Sequence, residues 1–165
     1  GGTKAKFKII PNPFSPYVRP TRDFSALTNV PSGTCMLIRV ESQFKSSLNL
    51  GVEIFNVVGD KVWSVLIQNV SSSREYRIWW DGKTTDRTIA LKAENESDEG
   101  YFVVTGKRMC RNGRYFAVLT IDDKEKKKQY LIIYNMEKFY VVTVQIEPLR
   151  EDICGKCYKK MVERG

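Results

Sequence analysis

Along this chain apolar and polar positions alternate in short runs, separated by Gly, Pro and charged turns, and no convincing amphipathic helix occurs before Pro148. The most patterned stretch is Leu50 to Gly82, LGVEIFNVVGDKVWSVLIQNVSSSREYRIWWDG. Its first run sets Val52 and Ile54 against Glu53 and Phe55. Asn56-Val57-Val58-Gly59 can then reverse the chain, with Gly59 at positive φ, before a β-rich run over Val62–Ile67. A third run, Arg74–Trp80, places Tyr76, Ile78 and Trp80 on one face and Glu75, Arg77 and Trp79 on the other, and ends in Asp81-Gly82 turn chemistry.

The remaining elements follow in order. Lys6–Ile10 is extended and leads into Pro11-Asn12-Pro13-Phe14-Ser15-Pro16, where three prolines exclude helix and leave Phe14 as an apolar plug on the end of a sheet. Tyr17–Gly33 reads as a long loop, or a loop with one brief strand, and Thr34–Ser42 as a strand. After Gly82 the chain is polar and acidic to Glu99. Strand propensity returns at Tyr101–Thr105 and, most strongly, at Arg114–Ile121, opened by Gly113. Asp122–Lys128 reads as a charged turn before an antiparallel partner at Gln129–Tyr134, and Phe139–Ile146 as one more strand.

Together these runs predict an all-β fold, an antiparallel sandwich spanning residues 6–147, with residues 148–165 as a basic C-terminal tail or short helix. The length of 165 residues suits one domain with a small appendage. Hydrophobic content of 42% and charged content of 28% exclude global disorder. No run of eighteen apolar residues suggests a membrane span. The Gly1-Gly2 opening reads as a cloning remnant, so any export signal would lie upstream in a larger parent.

Candidate chemistry narrows quickly. With no histidine, the usual base near neutral pH and the commonest zinc ligand are missing. The net charge of +8 is spread along the chain, and Arg111–Thr120 lacks the order of an RNA-binding strand, so no specific nucleic-acid partner is expected. In that run Tyr115 and Phe116 are expected as core and surface neighbours of one strand. Glu94, Glu96 and Asp98 begin like a calcium loop, but Gly100 falls out of register, which leaves a solvated acidic loop. Cys35, Cys110, Cys154 and Cys157 are read as a structural disulfide or as plain thiols. The Cys154-x-x-Cys157 motif lacks the strand-to-helix setting of a redox pair, and the other two lack zinc spacing. No catalytic, cofactor or metal site is expected. With Trp80 and Val62 directed inward, alternation sends Trp63 and Trp79 to the opposite face as a candidate partner surface, unless the insertion after Gly82 or the tail covers them.

Four motifs in order, PNPFSP at 11–16, GVEIFNVVGDKV at 51–62, WDG at 80–82 and NGRYFAVLTI at 112–121, carry a family resemblance. The pattern resembles the immunoglobulin-like domain of the flagellar hook-capping protein FlgD and the related C-terminal sorting domains of secreted bacterial surface proteins. Phe55 stands where that family often has Tyr, while Asn56 and Gly59 match. The resemblance implies an Ig-like or fibronectin-like β-sandwich in which Asn12, Pro13, Phe14, Asn56, Gly59, Trp80, Asp81, Gly82, Gly113 and Tyr115 are structural. Lys83–Asn112 is longer than in compact members, enough for an inserted hairpin that includes Tyr101–Thr105. The resemblance also implies a non-catalytic module of a larger exported bacterial protein, extracellular or at the cell surface, with the periplasm as the alternative. Such a module serves assembly, surface anchoring or secretion through protein partners or neighbouring domains of its parent chain. A carbohydrate-binding accessory module, gripping polysaccharide with surface aromatics, is the competing expectation.

Overall fold

A computed structural model describes residues 2–27, 29–97 and 101–134. Among the described residues nine strands form two facing sheets around one apolar core: β1 (Thr3–Ile10), β2 (Thr34–Ser42), β3 (Ser47–Phe55), β4 (Lys61–Ser71), β5 (Glu75–Trp80), β6 (Ile89–Lys92), β7 (Phe102–Val104), β8 (Gly113–Ile121) and β9 (Lys124–Ile133). One sheet has the order β1-β2-β5-β7 and the other β6-β4-β3-β8-β9. Among the described residues the helical content is one 3-10 turn, Ala93–Asn95, and no helix is long and apolar enough to cross a membrane. The strand expected at Phe139–Ile146, the 148–165 tail, Cys154 and Cys157 lie outside the described residues.

The predicted hairpin is present. Asn56 N donates to Asp60 O at 2.9 Å, Gly59 turns the chain at φ +90°, and Asn56 Oδ1 accepts from Val58 N and Asp60 N at 3.1 and 2.9 Å. That side chain supplies the turn's missing acceptors, which is why Asn suits the position.

Three expectations are corrected. Both sheets are mixed, because β6 runs parallel to β4 and β7 parallel to β5. The segment after Gly82 is therefore not an inserted hairpin: its two strands extend different sheets and do not pair with each other. Each covers part of the core, β7 with buried Phe102 and Val104, β6 with half-buried Ile89 and Leu91. A hairpin standing on one edge could close only one sheet.

The charged run is strand, not turn. Asp122 and Asp123 both adopt left-handed backbone, φ 47° and 68°, so two residues suffice to reverse the chain and pairing resumes at once with Ile121 opposite Lys124. The β9 lysines lie along a sheet edge, where charge discourages further strand addition.

The third correction concerns β4. Ile54 lies opposite Trp63 across the hairpin, and residues opposite one another share a face, so Trp63, Val65 and Ile67 point inward and Val62 only partly. Trp63 is 1% exposed and packs on Trp80 with ring centroids 6.3 Å apart. Farther along, Asn69 at φ 62° shifts the register between Leu48 and Leu50, which lets Val70 rejoin the core.

The proline-rich loop is bolted to β9. Asn12 behaves like a strand backbone, its Nδ2 donating to Tyr130 O at 2.7 Å and its Oδ1 accepting from Ile132 N at 3.0 Å. Phe14 N donates to Ile132 O, and Tyr134 N to Phe14 O, both at 3.0 Å. Both Ile10–Pro11 and Asn12–Pro13 peptide bonds are cis. Phe14 itself is buried against Trp80, centroids 5.5 Å apart. Replacing Phe14 by Ala is expected to cost about 3–5 kcal/mol by opening a core cavity, and Asn12→Ala about 1–2 kcal/mol through two lost hydrogen bonds. Urea unfolding midpoints at unchanged m-value check both.

Candidate interaction surface

Residues of the four sequence motifs converge at one end of the sandwich. Trp80 lies at the centre, fully buried, with Phe14, Trp63 and Tyr115 around it, the last in an edge-on contact at 6.0 Å. Its Nε1 donates to Lys83 O at 3.0 Å, so the corner after the tryptophan satisfies the tryptophan. Asp81 holds the corner from both sides: Oδ1 accepts from Lys83 N at 2.9 Å and Oδ2 from Gly106 N at 3.1 Å. Gly82 sits at φ +79°, and a Cβ there would lie 2.8 Å from Pro16. The segment 106–110 returns to the corner, with Cys110 N donating to Gly82 O at 2.9 Å. Gly113 opens β8, and Tyr115 OH donates to Arg111 O at 2.6 Å.

Trp63 and Trp79 form no common surface. Trp63 is in the core. Trp79 faces outward from its sheet but is 1% exposed, covered by Phe24 at 5.1 Å, Tyr101 at 5.7 Å and Val30, and its Nε1 donates to Ser32 O at 3.1 Å. The Tyr17–Gly33 loop supplies most of this cover. Its apolar Phe24, Leu27 and Val30 gave no periodic signal, so a sequence pattern could not show that they fold down on a sheet face.

Cys35 and Cys110 are free buried thiols in separate clusters. Burial pushes the Cys35 thiol up to about 12; nearby Arg77 opposes this weakly. Burial also pushes Cys110 up to about 11, opposed by its hydrogen bond with Tyr115, whose own phenol is raised to about 12, chiefly by burial. Neither thiol is primed as a nucleophile. In the acidic segment Glu96 Oε1 accepts from Arg74 Nη2 at 2.8 Å, and Asp98 lies outside the described residues. No group of three Cys, Asp or Glu side chains is placed to hold a metal among the described residues.

Exposed apolar side chains concentrate around Arg114. A cleft of about 450 Å³ at the motif end carries Val57, Val58 and Met109 with Arg108, Arg111 and Arg114. A second, of about 470 Å³, joins Arg114 to Asn12, Pro13, Tyr130 and Ile132. Five of the eight exposed large apolar residues described, Val57, Val58, Met109, Tyr130 and Ile132, therefore line two clefts that share one arginine. Beside them the register sets Phe55, Phe116 and Tyr130 in a row across β3, β8 and β9. Phe55 stacks on Phe116 at 5.2 Å, and Lys128 Nζ caps Phe116 at 4.3 Å. Tyr115 is buried and Phe116 half-buried on the outer side, as the alternation predicts. The row itself depends on strand register, which the sequence does not display.

No family model and no curated protein matches the chain. Among solved structures it is similar to the Pseudomonas fluorescens alkylpurine DNA glycosylase AlkC bound to DNA containing an abasic site analog, at 10% identity and a TM-score of 0.41. That similarity covers 81% of this chain but spans only 30% of the glycosylase. At that level nothing about fold or chemistry transfers to this chain.

With Cys154 and Cys157 replaced by Ser, the folded protein at pH 8 is expected to react with Ellman's reagent at least about a hundredfold more slowly than the denatured chain, because each unit of pKa removes tenfold of thiolate. The sign for stability follows: the native thiols hold their protons above the ordinary thiol value of 9.0, so stability falls as pH rises from about 9 toward 12. Fast labelling of the native state would contradict the buried placement.

Proposed function

We propose that this chain is a non-catalytic, immunoglobulin-like module of a larger exported bacterial protein, akin to FlgD-type domains, and that it serves assembly, surface anchoring or secretion by docking a protein partner. The observation that carries the reading is the apolar surface centred on Arg114. Interface cores are enriched in aromatic residues, Met and Arg, and an apolar patch rimmed by charge marks an interaction site on an otherwise polar surface. Val57, Val58, Met109, Tyr130 and Arg114 supply this combination. The fixed hairpin and the hydrogen-bonded corner beneath it present a rigid surface, which lowers the ordering cost of binding.

Further support comes from the way the motifs cooperate. Asn12, Phe14, Trp80, Asp81 and Tyr115 all bond or pack at the same end of the sandwich. A tyrosine near the start of a strand whose hydroxyl bonds a carbonyl four residues upstream is also a recurring corner of immunoglobulin-like sandwiches. The non-catalytic reading rests on the absence of histidine and on two inert thiols. The carbohydrate-binding alternative loses the two residues on which it stood, since Trp63 and Trp79 are buried.

Photo-crosslinking amino acids placed at Val58, Met109 or Tyr130 of the parent protein in its producing cells are expected to give a discrete adduct with one partner chain or a neighbouring domain. The same probe at Val103 or Phe44, exposed but outside both clefts, should give none. Equal labelling at all five positions, or none anywhere, would count against the reading.

A further inference from the structure

The sandwich has a second distinctive surface, where the edges of its two sheets meet. Gln129 Nε2 on β9 donates to Phe7 O on β1 at 3.0 Å, which holds the two edge strands side by side. Between them opens a cleft of about 450 Å³ lined by Lys4, Lys6 and Arg39 from one sheet and Lys126 and Lys127 from the other, with Glu41 as its one carboxylate. The half-buried Ala5 lies between the two β1 lysines, its short side chain leaving the floor open.

The cleft sets five cations against one carboxylate. Glu41 is already committed, accepting from Arg39 Nε at 2.8 Å and from Ser73 Oγ, and these hydrogen bonds hold its carboxyl below the usual range. None of Lys4, Lys6, Lys126 and Lys127 pairs with a carboxylate among the described residues. Four ammonium groups with a single, already hydrogen-bonded carboxylate among them repel one another, and an anionic ligand relieves that repulsion.

The layout suits a line of anions. Lys4 and Lys6 project from the same face of β1 and so stand roughly 7 Å apart along the strand, while Lys126 and Lys127 run beside them on β9. Lysine offers a mobile point charge, able to meet sulfate or carboxylate groups at varied angles. Single-stranded nucleic acid would need aromatic platforms for its bases, and the lining contains no aromatic residue. We infer that the β1–β9 cleft binds a linear acidic polysaccharide, its sulfate or carboxylate groups spaced along the two strands. This site is separate from the surface around Arg114 and stands or falls independently of it.

Fluorescence anisotropy of the full chain tests this, using size-defined sulfated (heparin-derived) and uronate (polygalacturonate-derived) oligosaccharides at low and physiological salt. Binding that weakens with salt is expected with at least one of them, and which one distinguishes sulfate from carboxylate recognition. Lys6→Glu/Lys126→Glu should weaken it roughly tenfold or more. Lys92→Glu/Lys107→Glu, the same charge change at exposed positions away from the cleft, should leave affinity within about twofold after the general field is allowed for. If the charge-reversed cleft variant fails to fold, Lys6→Gln/Lys126→Gln carries the same expectation with a smaller loss. Equal weakening by both double variants would reduce the effect to net charge and overturn the site. So would absence of binding at low salt, or an oligothymidylate that binds as tightly and competes.

Discussion

The burial of the Trp80 indole at the motif end of the core is the constraint on which the rest of the structure depends. A ring of this size closes a core only if every side is covered and its N–H is satisfied. Phe14 covers it from the N-terminal loop, Trp63 from the facing sheet and Tyr115 from β8, and Lys83 O accepts its hydrogen bond. Four segments distant in sequence are thereby fixed relative to one another. The corner that supplies the acceptor is held by Asp81 and admits Pro16 only because residue 82 is glycine.

From that anchor the topology follows. The chain leaves β5 at the Asp-Gly corner and returns to it through the 106–110 segment, so the residues between must start and finish near one place. They use the excursion to add β6 beside β4 and β7 beside β5. Both are parallel additions, and both shield apolar edges that an antiparallel sandwich of the remaining strands would leave open. The Tyr17–Gly33 loop does related work on the outer side, burying Trp79 and Cys35 under Phe24 and Val30. The two aromatic residues that alternation made candidates for a surface are thus both enclosed, each about 1% exposed.

What is left exposed has two characters. Around Arg114 it is apolar and aromatic with arginine, on a rigid floor. Along the β1–β9 seam it is almost purely cationic and carries no aromatic residue. A protein surface and a line of anions make different demands, and the chain separates the residue types accordingly. The strand that connects the two regions is β9, whose first half is lysine-rich and whose second half, Tyr130 to Ile133, alternates between exposed and buried apolar side chains.

Much of the fold was legible in the sequence. Strand positions from Thr34 to Trp80, the Asn56–Gly59 hairpin, the inward phase of Tyr76, Ile78 and Trp80, and the opposed sides of Tyr115 and Phe116 are local properties of alternation and turn chemistry. The phase of β4 was not, because both its faces are apolar and only pairing of Ile54 with Trp63 decides between them. The two-residue turn at Asp122–Asp123 was missed because its left-handed backbone is a conformation, not a composition. Both surfaces depend on residues far apart in the chain lining one cleft: Val58 with Arg114, Lys6 with Lys126. By itself the sequence determined which residues form strands and which close a turn, since those are decided by side chains a few positions apart. Only the tertiary structure decided which aromatics are buried and where cations gather, since those depend on register and on how two sheets meet.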